Sequence, residues 1–180
     1  MKVIETTLDD CVIIEPTIYS DRRGLFFESF NRRRYQEIIG EHHLFVQDNV
    51  SFSTCGVLRG LHYQKAYPQG KLVTVLAGEI YDVVVDIRAE SSTYANWMGV
   101  KLCSKLKHQL WVPPGFAHGF QVVSEDAIVC YKTTQYYRPD DEGHIRFDDP
   151  VLSIPWPLRE KVLSAKDSLE SEFKWAVVSE

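Results

Sequence analysis

The chain has no Cys-x-x-Cys pair. Its four cysteines, Cys11, Cys55, Cys103 and Cys130, stand far apart, which leaves a zinc or thioredoxin-type motif without its usual spacing and fits a reduced, cytoplasmic protein. There is no Gly-rich nucleotide loop and no serine nucleophile elbow, so the sequence signs of two large enzyme classes are missing. No run approaches the ~18 apolar residues of a membrane span. The first ten residues carry acids at Glu5, Asp9 and Asp10 and lack the apolar core expected of a secretory leader. Positive charge is also in deficit. Lys and Arg number 20 against 25 Asp and Glu, a formal net charge of -5. That is the wrong sign for broad binding to nucleic acid or anionic membrane, although a local basic pocket for a phosphorylated small molecule stays open.

What is present reads as a β protein. With 44% apolar and 25% charged residues over 180 positions, the chain can build a substantial core and is most simply one domain, 1–180. Strand-like runs fall at 72–77, 81–88, 97–103, 109–112, 119–123 and 127–134, rich in β-branched residues. Turn material separates them at 78–79, 91–92, 113–115 and 124–126. A helix is expected over 32–39, capped by Asn31 and closed by Gly40, with Tyr35, Ile38 and Ile39 on one face. A second is expected to begin at Ser164. Even strand spacing with helices only at the edges predicts a jelly-roll β-sandwich or barrel. The stretch 154–157 (IPWP) is expected to run extended across it. Cys103 and Cys130, inside strand-like runs, read as small buried hydrophobes, and His42 and His43 as solvent-facing.

The chemistry concentrates in 57–64 (VLRGLHYQ), where Arg59 and His62 stand three residues apart in a run that otherwise reads as strand. A neutral imidazole is a suitable base for an acidic C–H proton at neutral pH, and a strand histidine can also be purely structural. Asp167, three residues after Ser164, suits a helix start. It can equally orient His62, and its two oxygens allow both. Tyr131 either packs its ring or donates a proton from its hydroxyl. Lys71, following Gly70, is either a solvated lysine or one that steadies an enolate oxygen. Arg23 and Arg59 suit phosphates or ion pairs. The stretch 113–118 (PPGFAH) matches half of a cupin metal motif, but Gln64 stands where the other half needs a second His, so no metal is expected.

Taken together, the motifs 21–30 (DRRGLFFESF), 45–49 (FVQDN), 57–62 (VLRGLH), 69–71 (QGK), 81–87 (YDVVVDI), 114–120 (PGFAHGF) and 164–167 (SAKD) resemble the dTDP-4-dehydrorhamnose 3,5-epimerase family, from about Ile14 to Asp167. The resemblance implies a cupin-type jelly roll with short peripheral helices, a homodimer, no cofactor, and a dTDP-4-keto-6-deoxyhexose substrate. It implies that His62 is the base with Asp167 as its partner, that Tyr131 is the acid on the opposite face, and that Lys71 sits beside the sugar C4 oxygen. It further implies that Arg23, Phe26, Glu28, Gln47, Asp48, Asn49, Arg59, His118, Glu142 and Lys166 bind the nucleotide sugar, and that Tyr137 stacks on the base. The chain departs from the family pattern at Phe147, where Trp is usual. The rival readings are an epimerase of C3 alone or C5 alone, and a non-catalytic sugar-binding cupin. The latter would not need His62, Tyr131 and Asp167 together.

Overall fold

Two long strands, β7 (Lys71–Asp86) and β10 (Phe116–Thr133), organise the computed structural model, which describes residues 1–171 and 173–175. They pair antiparallel from Phe116 opposite Asp86 to Thr133 opposite Lys71. Neither stays straight. Gly78 sits at φ +75°, and a Cβ there would lie 2.0 Å from the Asp126 carbonyl oxygen. Opposite it the register slips between Val122 and Ala127. The Ser124 hydroxyl bridges the gap, accepting the Glu79 N–H at 2.7 Å. Such a bulge bends and twists a strand pair. The expected turns at 78–79 and 124–126 are therefore a shared bend inside two continuous strands, because the ladder resumes on either side.

The bend divides each long strand between two halves of the fold. The first half of β7 carries β9 (Gln109–Val112), β2 (Val12–Glu15) and β1 (Lys2–Glu5), and the second half of β10 carries β5 (Gln47–Thr54). The second half of β7 carries β8 (Trp97–Cys103). The first half of β10 carries β6 (Leu58–Gln64), and β6 in turn carries β11 (Glu142–His144). All these pairings are antiparallel. The main core draws Val73, Val75 and Val129 from one half and Ile80, Val84, Leu102 and Phe120 from the other, so the halves face each other as a jelly-roll sandwich.

The outer faces are covered as the sequence suggests. Helix α1 (Arg32–Ile39) lays Tyr35 and Ile39 on Ile14, Leu72 and Trp111. Its cap is the expected one: Asn31 accepts the Arg34 N–H, and the Gly40 N–H reaches the Gln36 carbonyl. On the other face Ile154 is buried, and Trp156 packs nearby and donates to the Phe147 carbonyl at 2.8 Å. The hairpin β3 (Ile18–Asp21) and β4 (Gly24–Phe27) forms a separate two-stranded sheet.

Three further expectations fail. Among the described residues no helix follows Ser164. One turn forms, with Ser168 N–H on the Ser164 carbonyl at 3.2 Å. Ser168 and Ser171 then spend their hydroxyls on the carbonyls of Ser164 and His144, side-chain bonds that compete with helix. Any continuation at residue 172 or beyond 175 lies outside the described residues. Cys103 and Cys130 are only half-buried. The enclosed cysteine is Cys11, whose thiol burial pushes up to about 12. His43 is not simply solvent-facing, since its ring lies 5.1 Å from that of Trp111, and burial together with the neighbouring His42 lowers its pKa.

Candidate active site

One cavity of about 420 Å³ gathers most of the chemistry-bearing side chains. Strands β5, β6, β7, β10 and β11 and the turn at 164–168 supply its walls. The irregular register of β6 against β10 explains why Arg59 and His62 share a wall despite their odd spacing. His62 pairs with His118 and Arg59 with Phe120, so three steps on β6 match two on β10. Gly60 lies at the slip with φ +114°, and a Cβ there would sit 2.6 Å from the Gly119 Cα. Only glycine permits that approach.

His62 is flanked by two carboxylates. Its Nε2 lies 2.5 Å from Asp167 Oδ1, and its Nδ1 lies 3.7 Å from Glu142 Oε1. The second Asp167 oxygen accepts the Ser164 hydroxyl at 2.8 Å, and Ser164 accepts the Asp167 N–H in return. Asp167 therefore closes the turn and orients the imidazole at once. Burial alone would raise its pKa, but the His62 contacts, the Ser164 hydroxyl and the Gly60 N–H outweigh it and hold the carboxyl below its ordinary value.

Lys71 is buried in the same cavity, where its Nζ donates to the His62 carbonyl at 3.3 Å. Burial pulls its pKa down to about 8, and Asp82 and Glu142 hold it from falling further. A lysine with a depressed folded pKa destabilises the fold while both states are charged, and the penalty fades as pH rises from the folded to the unfolded value. A drop from 10.5 to about 8 corresponds to about 3 kcal/mol. Lys71→Met is therefore expected to raise stability by about that amount at pH 7. The gain should be full below about pH 8 and gone above about pH 10.5, as read from denaturant midpoints. An unchanged midpoint at pH 7 would mean that Lys71 is better solvated than its burial indicates.

Tyr131 also lines the cavity. Burial raises its pKa, and Arg59 partly counters this, so the phenol keeps its proton at neutral pH. Glu142, on β11, accepts the Tyr137 hydroxyl at 2.7 Å and also pairs with the Lys166 ammonium. Burial opposes its ionisation, but Lys166, Tyr137 and His62 win and lower its pKa. The Glu142 bond pushes Tyr137 up to about 12. Arg59 binds the Ser53 hydroxyl at 3.1 Å, and no carboxylate partners it among the described residues. His118 holds the wholly buried Asp82 through Nε2, at 2.9 and 3.0 Å from the two oxygens.

Gln47 and Asn49 face the cavity from β5 and bond each other at 2.8 Å. The intervening Asp48 does not. Alternation along the strand turns it to the other side, where it pairs with Lys132 at 2.9 Å. Arg23, Phe26 and Glu28 also lie away from this cavity. Arg23 is 90% exposed and bound to Asp21, Phe26 is 70% exposed on the hairpin, and Glu28 contacts Asn31 and Arg34 at the start of α1. The remaining eleven expected side chains line the cavity.

Sequence reasoning passed over Asp82 and Ser51. Ser51 lies two residues beyond Asn49 on the same face of β5, and its Oγ is the buried side-chain polar atom without a protein hydrogen bond among the described residues. The period-2 pattern of 47–53 marks it. Asp82 was signalled by an acid set inside a β-branched run. Among the described residues no cluster of three His, Cys, Asp or Glu side chains could hold a metal ion.

An oriented imidazole, a buried ammonium and a protonated phenol around one cavity can take a proton from carbon beside a carbonyl, steady the oxyanion and return a proton. Comparison with known proteins agrees with that chemistry. Residues 5–174 match the family described as dTDP-4-dehydrorhamnose 3,5-epimerase. A protein of that name from Salmonella typhimurium is 48% identical, with 100% of each chain covered. The structure of dTDP-6-deoxy-D-glucose-3,5-epimerase from Legionella pneumophila, in complex with dTDP-4-keto-L-rhamnose, is 54% identical. It superposes with a TM-score of 0.90 over 92% of this chain and 89% of that one. A 3'-monoepimerase from Streptomyces bikiniensis, in complex with dTDP-quinovose, is 31% identical, with a TM-score of 0.85 over 90% of this chain and 83% of its own.

Proposed function

The chain belongs to the dTDP-4-dehydrorhamnose 3,5-epimerase family, and on that premise we propose that it inverts C3 and C5 of dTDP-4-dehydro-6-deoxy-D-glucose. The product is dTDP-4-dehydro-L-rhamnose, a step of dTDP-L-rhamnose synthesis. The observation that carries this reading is the His62–Asp167 pair sharing a cavity with Lys71 and Tyr131.

The 4-keto group acidifies the C–H bonds at C3 and C5. His62 removes each proton, and Asp167 fixes the ring that does so. Lys71, mostly charged at neutral pH with a pKa of about 8, steadies the enolate oxygen. Tyr131 returns a proton to the opposite face. Electrons balance without a redox partner, because each carbon loses and regains a proton. Arg59 holds the diphosphate, helped by Lys166 and the amides of Gln47 and Asn49. His118 and Glu142 contact the sugar side, and Tyr137 stacks on the base.

The protein acts as one domain in a homodimer. Tyr19, Leu25 and Phe26 on the hairpin and Val50 and Phe52 on β5 are exposed apolar side chains, a surface of the kind that partners cover. Arg23, Phe26 and Glu28 do not face their own chain's cavity, so a role in binding requires a second copy. The same holds for Asp48, which shares the outer face of β5 with Val50 and Phe52. The reading assigns the protein to the cytoplasm, where its four unpaired cysteines would stay reduced. No helix among the described residues is long and apolar enough to cross a membrane.

The test is turnover after exhaustive chelation, followed by proton NMR. The expected product has both C3 and C5 inverted at an undiminished rate. Inversion at one carbon only, or loss of activity restored by a stoichiometric metal, would refute the reading.

A further inference from the structure

Gln64 closes β6 and is buried. It is not among the side chains that line the cavity. In the sequence it marks the missing half of a metal motif, and in the fold its amide has another task. A buried amide is costly unless its donors and its acceptor are met. Two loops meet those of Gln64. Nε2 donates to the Tyr67 carbonyl at 2.8 Å and to the Tyr136 carbonyl at 3.3 Å. Oε1 accepts the Arg138 N–H at 2.7 Å. Two carbonyls on one side and an N–H on the other fix which end of the amide is which.

The bonds to 136 and 138 straddle Tyr137. The peptide unit before Tyr137 is held through its carbonyl by Gln64 and through its N–H by Gln47, at 2.9 Å. The peptide unit after it is held through its N–H by Gln64. With both planes fixed, the direction in which the Tyr137 side chain leaves the backbone is fixed too. The ring itself is 47% exposed and lines the cavity, tied at its far end by the hydroxyl on Glu142. The loop on the other side of Gln64 is a firm anchor. The Asp141 carboxylate accepts the Ala66 and Tyr67 N–H groups at 2.8 and 2.9 Å, and the Arg138 guanidinium lies 3.8 Å from the centre of the Tyr67 ring.

We propose that Gln64 is a positioning residue for nucleotide recognition: its amide fixes the backbone on both sides of Tyr137 and so sets that ring for the base. The proposal rests on the functional reading above, in which Tyr137 stacks on the base. Gln64 lies outside the cavity wall that holds His62, Lys71, Tyr131 and Arg59. It therefore acts on the binding of base-bearing ligands and not on proton transfer or on the diphosphate. An amide supplies donors and an acceptor at once. Methionine has nearly the same length and supplies neither, while glutamate keeps the acceptor and loses the donors.

The experiment is calorimetric titration of wild type, Gln64→Met, Tyr137→Ala and the double variant with dTDP and, separately, with pyrophosphate, which carries the two phosphates and no base. Tyr137→Ala is expected to weaken dTDP binding by about tenfold, the scale of one base–aromatic stack. Gln64→Met should weaken it by at least about threefold, a part of the same stack, and leave pyrophosphate affinity unchanged. In the double variant the loss should match that of Tyr137→Ala alone, because a residue acting through Tyr137 has nothing left to act on. In turnover the loss should appear in KM rather than in kcat. Unchanged dTDP affinity in Gln64→Met, equal losses for dTDP and pyrophosphate, or losses that multiply in the double variant would each overturn the proposal. Gln64→Glu is the second variant if Gln64→Met does not fold, with the same outcomes expected. Failure of both to fold would mean that the amide serves the fold, and would also overturn it. A Tyr137→Ala that binds dTDP as wild type does would sink the stacking assignment in the functional reading and the proposal with it. If the proposal fails alone, Tyr137→Ala is still weakened.

Discussion

His62→Ala is expected to abolish solvent-deuterium incorporation at both C3 and C5. The reason is geometric economy. One imidazole is oriented in the cavity by a carboxylate, with Nε2 at 2.5 Å from Asp167. The other cavity histidine, His118, is held through its own Nε2 by the buried Asp82. If a single base serves both carbons, removing it stops both exchanges together. A positioned general base contributes about 10²–10⁴-fold, so both rates should fall by at least about 10². The folded state should tolerate the change, because His62 is partly exposed and sits at a wall rather than in the core. Retained dTDP binding would confirm folding. Exchange persisting at one carbon at the wild-type rate would mean that a second base, His118 being the obvious choice, serves that position.

Tyr131→Phe has a different signature. Inversion needs a proton to leave one face of the sugar and arrive on the other. His62 alone can remove a proton and return one from solvent to the same face, which is exchange with retention. A donor opposite is required, and the Tyr131 phenol is kept protonated by burial. Losing the hydroxyl while keeping the ring should leave packing nearly intact. The variant is expected to incorporate deuterium while forming inverted product about 10²–10⁴-fold more slowly. Wild-type yields of the L-configured product would remove Tyr131 from the acid role. Loss of exchange along with inversion would mean that the phenol also helps generate the enolate.

The parts of the site that were legible in the sequence are those governed by local rules. Asn31 and Gly40 delimit α1 because caps are read over a few residues. His62, Lys71, Tyr131 and Asp167 were singled out by type and neighbour, and they line one cavity. The same kind of rule turns Asp48 away from its own chain's cavity, since Gln47 and Asn49 cannot face inward on β5 unless Asp48 faces out. What escaped depends on pairing between distant segments. The slip of β6 on β10, which gives Arg59 and His62 a common wall, involves residues some 60 positions apart. The bend at Gly78 and Ser124 looked like two turns because local composition cannot reveal that the ladder continues beyond it. The helix expected from Ser164 stops after one turn, where Ser168 bonds back to the Ser164 carbonyl and Ser171 reaches the carbonyl of His144, the latter a contact across sequence. Asp82 was passed over because its meaning comes from His118, 36 residues away.

The relationship to a 3'-monoepimerase at 31% identity and a TM-score of 0.85 shows that this scaffold alone does not fix how many carbons are inverted. The central claim, that both carbons are inverted through an enolate open to solvent protons, is tested most directly by wild-type turnover in deuterated water. The account predicts product carrying one deuterium at C3 and one at C5, both centres inverted, with no label introduced elsewhere on the ring. Inverted product that retains its original hydrogen at either carbon would contradict it.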